Sequence, residues 1–289
     1  MPGREPLDAD TVHELLQPET DGGDPADWEE DVRSWLTPDQ QPPTDLPLLR
    51  LWDEKSGSQP DESGRMLARA PRQRLCTLES RRESLEIHVD NGRWVVTPYI
   101  SFSSLPEAIE DLAQVRDDPK KKRGPHKLIA INPGVREAKG LPVLDVGAEM
   151  EHYGIEDPYD DSDYYENHYA CLWEVTPEEI VGQWTWKKLM KNNKEDWYKE
   201  IVLPAFQQHN NAFTKRSAPT DIGGPDESGR AAGLSRESSI PCWTFGLVAR
   251  LMVSKLAPMV SKLAHPIHAF CHDADPFGQD RVYRSDEEI

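Results

Sequence analysis

"YYENHYACLWEVTPEEIVGQW", residues Tyr164–Trp184, decides how this chain is read. Aromatic and β-branched residues crowd both ends of the segment, and Thr176-Pro177 breaks it in the middle. The pattern predicts a strand over 168–174, a turn, and a second strand over 180–186. Side chains on a strand alternate between faces. Asn167, Tyr169 and Cys171 are therefore expected on one face, with Glu166, His168 and Glu174 on the other.

Further strands are predicted on both sides, over 48–52, 93–101, 127–132 and 142–146. "SLPEAIEDLAQV" reads as a helix capped from Ser104 to Glu107, with Leu105, Ile109, Leu112 and Val115 as its buried stripe. "NNKEDWYKEIVLPAFQQHN" supplies a closing helix interrupted at Pro204. Strands outnumber helices and do not alternate regularly with them, so the expected class is α+β.

That mixed domain spans 46–213. A helical preface and linker precede it over 1–45, with a capping box at Thr11 and Glu14. A second preface helix is expected from Asp24 as N-cap and Pro25 at its first turn, with Trp28, Val32, Trp35 and Leu36 on one stripe. Residues 214–241 have the composition of a disordered linker. Residues 242–289 form an amphipathic segment and an acidic tail. There "VSKLAPM" is followed by "VSKLAHP", and Val253, Leu256, Val260, Leu263, Ile267 and Phe270 fall on one seam. Such a helix packs on its own domain, or docks through Arg250, Lys255 and Lys262 on a membrane surface or an acidic body.

The 289 residues carry 52 acidic and 33 basic side chains, a formal charge of -19. That balance repels a phosphate backbone, so nucleic acid is excluded as a general partner and a cationic protein patch or small nucleotide suits the chain better. No apolar run reaches the ~18 residues of a membrane span. No basic region followed by an apolar segment is read at the N-terminus, and the four cysteines form no C-x-x-C pair. Reduced thiols in an intracellular, cytoplasmic or nuclear setting are the expectation.

Two short clusters concentrate side chains capable of chemistry. His265, His268 and His272 lie on one side of "HPIHAFCH" beside Cys271, but Pro266 interrupts them and no second ligand pair follows, so no metal is expected. "DPKKKRGPHK" concentrates cations at Lys120–Arg123, flanked by proline and glycine that would keep it exposed. It reads equally as a nuclear import signal or as a solvated loop.

"LLRLWD", "TPYISFSSLPEA", "HKLIAINPG", "LDV" and the quoted strand pair follow one another in an order that carries further meaning. Together they resemble the catalytic domain of the cholera toxin and heat-labile enterotoxin class of ADP-ribosyltransferases, and more closely an uncharacterised fungal intracellular domain of that fold. The resemblance implies a split β-sheet core with NAD as the ligand or substrate. Arg50 takes the place of the arginine that grips the dinucleotide. Ser101 and Ser103 match two members of the Ser-Thr-Ser strand beside nicotinamide, and Phe102 replaces the threonine between them.

The family's two glutamates fall on Asn167 and Tyr169, neither of which is acidic. An anion beside the developing oxocarbenium-like cation is worth ~3–4 kcal/mol, or 10²–10³ in rate. The reading that follows is a degenerate, non-catalytic module binding a nucleotide or a protein. The alternative is an active mono-ADP-ribosyltransferase using Arg50, Ser101 and Glu166, with Glu166 entering the pocket through a slipped or bulged strand.

Overall fold

In the computed structural model, residues 5–18, 28–37, 44–90, 93, 95–120, 122–159, 164–192 and 196–217 are described. The C-terminal seam, the 265–272 cluster and most of the 214–241 segment lie outside them, as do Asp24 and Pro25.

Six strands form one antiparallel sheet in the order β5-β6-β3-β1-β4-β8: β1 (Leu48–Trp52), β3 (Tyr99–Ser103), β4 (Lys127–Ile131), β5 (Val143–Asp145), β6 (His168–Leu172) and β8 (Ile180–Thr185). A separate two-stranded arm pairs β2 (Met66–Leu67) with β7 (Glu174–Val175). The class is α+β. Trp173 sits between β6 and β7 with φ +59°, which breaks the quoted 168–174 strand and turns Glu174 into the arm.

Register explains where the core lies. Phe102 faces Tyr169, Ile100 faces Cys171, and Leu49 faces Ser103. Leu48, Trp52, Ile100, Phe102, Tyr169 and Cys171 thus share one sheet face, joined there by Met66 and Val175 of the arm. The other face carries two separate clusters. Over β5-β6-β3 lie α3 (Leu78–Val89), α6 (Val146–Tyr153) and α1 (Ala9–Leu16). Over β1-β4-β8 lie α4 (Pro106–Arg116), α7 (Trp186–Asn192) and Trp197. Leu7, Val12, Leu16 and Trp35 belong to the first cluster, so the N-terminal preface is part of this core rather than an annex.

Between the two halves the sheet nearly parts. β1 and β4 match over five residue pairs, whereas β1 and β3 share only Leu49↔Ser103. Continuing that register would set Leu51 opposite Ser101. Instead each carbonyl accepts from an arginine: Arg116 Nη1 donates to Leu51 O at 3.0 Å and Arg50 Nη1 to Ser101 O at 3.1 Å. The side chains satisfy backbone groups that a wider ladder would have paired.

Several local expectations are corrected. Asp8, not Thr11, caps α1, its carboxylate accepting from Thr11 N–H. The preface helix is only α2 (Glu29–Val32); Val32 is 72% exposed while Trp35 is buried, so no single stripe exists. In α4 Leu105 is the N-cap and 38% exposed, and Arg116 takes the buried place expected for Val115. Ser103 Oγ, rather than Ser104, reaches back to the Leu105 N–H. β3 begins at Tyr99 instead of 93 because Val95 and Val96 are exposed. At Pro204 the closing helix is widened by a π-type turn over Tyr198–Val202 that leads into α8 (Leu203–Ser217). The wider turn accommodates a residue with no N–H to donate.

The basic cluster is corrected too. Arg123 is 8% exposed and bound to Asp53, so the run does not stand in solvent as a whole; Lys120 and Lys122 are exposed.

Candidate functional site

Arg50 follows Leu48 and Trp52 in parity on a fully buried strand and reaches across the seam. Besides Ser101 O, its Nη2 lies 3.5 Å from the Ser58 carbonyl. Arg50, Ser101 and Ser103 line a cleft closed from above by Ile109 and Leu112 of α4. Its volume is about 10 Å³, and roughly that much space is needed for a single water.

The Ser101 hydroxyl points to the face opposite Phe102 and meets α3. It lies 2.9 Å from His88 Nε2, and His88 Nδ1 lies 3.1 Å from Thr97 Oγ1. In the tautomer protonated at Nδ1, Thr97 receives that proton's hydrogen bond and Nε2 accepts from Ser101. This is the connectivity of a nucleophile and its base. Burial, with the charges of His168, Arg69 and Arg50, pushes His88 down to about 3. So weak a base has little pull on a serine proton near neutral pH. His168 is buried beside Tyr165, with ring centroids 5.5 Å apart, and burial with the Arg50 charge brings it down to about 4.

Asn167 has φ +60° and sits in the turn before β6. Its carbonyl accepts from Ser104 N–H at 3.2 Å, and its Oδ1 accepts from Ser104 Oγ at 3.3 Å, closing the end of the β3–β6 ladder. Tyr169 is buried between Phe102 and Asp145 in register; burial, then the Asp145 charge, raises its phenol. Glu166 is exposed on the same turn as Asn167. Strand alternation begins only at His168, so it is the turn, not the pleat, that positions Glu166.

The structure therefore gathers Arg50, Ser101 and Ser103 at the seam, puts Tyr169 on the other face from the two serine hydroxyls, and leaves Glu166 exposed on the turn ahead of β6. His88, Thr97 and Arg116 complete the seam without having been singled out in the sequence. Nothing in the period of α3 marks His88. Among the described residues no group of three or more His, Cys, Asp or Glu side chains is placed to hold a metal, and no helix is long and apolar enough to cross a membrane.

Compared with protein-family models, curated proteins and solved structures, this chain matches none.

One residue beyond β1, Asp53 is buried among cations. Arg123 donates to it at 2.7 and 3.1 Å, Arg116 Nη1 lies 3.5 Å away and His126 Nδ1 3.7 Å away. Burial alone would raise this carboxyl. The His126 and Arg123 contacts and the charge of Arg116 overrule it and hold Asp53 well below the usual carboxylate range.

Proposed function

We propose that this chain is a degenerate ADP-ribosyltransferase-like domain that works as a binding module without turnover. One observation carries the reading. Arg50 spends its fork on backbone carbonyls beside a cleft of about 10 Å³, while Glu166 is exposed on the turn ahead of β6. Ligand pockets usually run to ~300–1,000 Å³, far more than this cleft, which favours a reading without turnover there. Asn167 and Tyr169 hold the places of the family's acids and supply no anion. With a formal charge of -19, the favoured occupant of the module's surface is a cationic protein partner.

Calorimetry with NAD, paired with a nicotinamide-release assay on the wild type and Glu166→Ala, tests this. The expected outcome is no release from either protein. NAD binding without release would make the module a nucleotide holder. Release that disappears in Glu166→Ala would establish an enzyme and overturn the proposal.

A further inference from the structure

A second cavity lies away from the seam, between α4 and α7. Its volume is about 610 Å³, within the ~300–1,000 Å³ range of small-molecule sites. Ala113, Trp186 and Met190 give it an apolar wall, and the imidazole of His126, only 4% exposed, is part of its lining. His126 Nε2 lies 3.0 Å from Asp117, and its other nitrogen is turned toward buried Asp53, so the ring is fixed from both sides.

Two carboxylates stand over this wall on one side of α4. Glu110 and Asp117 are seven residues apart, which on a helix separates them by roughly 10 Å along the axis. Each has one oxygen engaged within the protein: Glu110 accepts from Trp197 Nε1 at 2.6 Å, and Asp117 faces His126. Carboxylate oxygens accept more than one hydrogen bond, so both keep capacity. Asp117 also lies at the C-terminal end of α4, where the helix dipole favours cations. The counter-charge is Lys187, exposed on α7 and long enough to turn to solvent.

We infer that this trough binds a small aliphatic amine. The alkyl chain lies along Ala113, Trp186 and Met190, and an ammonium group is held by Glu110, Asp117 or, in a diamine, by both. The site is separate from the seam and stands whether or not the chain binds NAD.

Calorimetry on the full chain with 1,6-diaminohexane, n-hexylamine and hexanoate tests the assignment. The diamine is expected to bind more tightly than hexylamine, and hexanoate is expected to give no heat. Each of Glu110→Gln and Asp117→Asn should weaken the diamine roughly two- to fivefold, since both carboxylates are partly screened by water. Lys187→Gln should tighten it. All three side chains are exposed, so these variants are expected to fold. Absence of diamine binding, equal binding of hexanoate, or a Glu110→Gln/Asp117→Asn double variant that binds like the wild type would overturn the inference. Tighter binding of a capped lysine tripeptide than of the diamine would overturn the small-molecule assignment in favour of a partner's side chain.

Discussion

Arg123 donates two hydrogen bonds to Asp53, and both side chains are almost wholly removed from water, at 8% and 1% exposure. Removing one member of a buried ion pair strands the other, a cost of about 3–5 kcal/mol. Asp53→Asn leaves two guanidiniums, Arg116 and Arg123, without their anion. Urea unfolding at pH 7 should show a loss of that order, and a loss below about 1 kcal/mol would mean that water reaches the cluster. The double variant Asp53→Asn/Arg123→Met should recover part of the loss.

Arg50 has a structural duty at the seam that is separable from ligand binding. Arg50→Ala leaves the Ser101 carbonyl without this donor, which should lower stability by about 1–3 kcal/mol. Arg50→Lys retains the charge but not the fork and should fall between the two. An Arg50→Ala protein of unchanged stability would refute the bridging role.

The two depressed imidazoles make stability depend on pH in a defined window. His88 and His168 titrate near 3 and 4 in the folded chain but near 6.5 when unfolded. Between those values the unfolded chain binds protons that the native state refuses. Stability is therefore complete above about pH 6.5 and falls on acidification, by ~1.4 kcal/mol per pH unit for each imidazole. His209 is shifted the same way and adds to the slope. Asp53, whose carboxyl is depressed, contributes stability that is lost only below about pH 3.8. Unfolding midpoints measured from pH 7 to 4.5 should drop steadily, and His168→Gln should flatten the curve.

Two glycines should respond differently to alanine. Gly154 ends α6 with φ +60° and has nothing within 4 Å of an added Cβ, so Gly154→Ala costs only backbone strain, about 1 kcal/mol. At Gly182 an added Cβ would stand 2.7 Å from Trp184 Cη2. That ring must move, and overpacking of this kind costs roughly 1–3 kcal/mol. Thermal melts of the two variants compare the costs directly.

How far the fold could be read from the sequence depended on where polar residues point. β1 was legible to the residue because all five positions of "LLRLW" are buried and four of them are apolar. α3 was not. Its inward side includes Arg81 and Ser84 along with Leu85 and Val89, so burial follows the helical period while hydrophobicity does not. Arg81 can be buried because it donates to the Leu75 and Arg33 carbonyls and to Glu30, stacked 3.9 Å over the Trp35 ring. Glu149 hides α6 in the same way, bound to Arg33 and to the Trp35 indole. Such partners are distant in the chain and leave no local pattern.

The candidate site was legible only as an ordered set of short motifs. Arg50, Ser101 and Ser103 meet because β1 and β3 are neighbours, a pairing that no single motif fixes. His88 was hidden with the rest of α3. The position of Glu166 turned on Asn167, which takes up the left-handed conformation that asparagine tolerates better than most residues. Alternation carried back from a strand that starts at His168 does not hold at Glu166 and Asn167, because both lie in the turn ahead of it.

The lone Leu49–Ser103 rung has a thermodynamic corollary. β4 is laddered along both of its sides, whereas β1 and β3 are fastened to each other by one backbone pair and a guanidinium tie. Amide protons facing that join should exchange well before the amides of β4, although the cluster of Leu48, Trp52, Ile100 and Phe102 packs across it. The backbone pairing of this sheet is thus thinnest down its middle rather than along its outer strands.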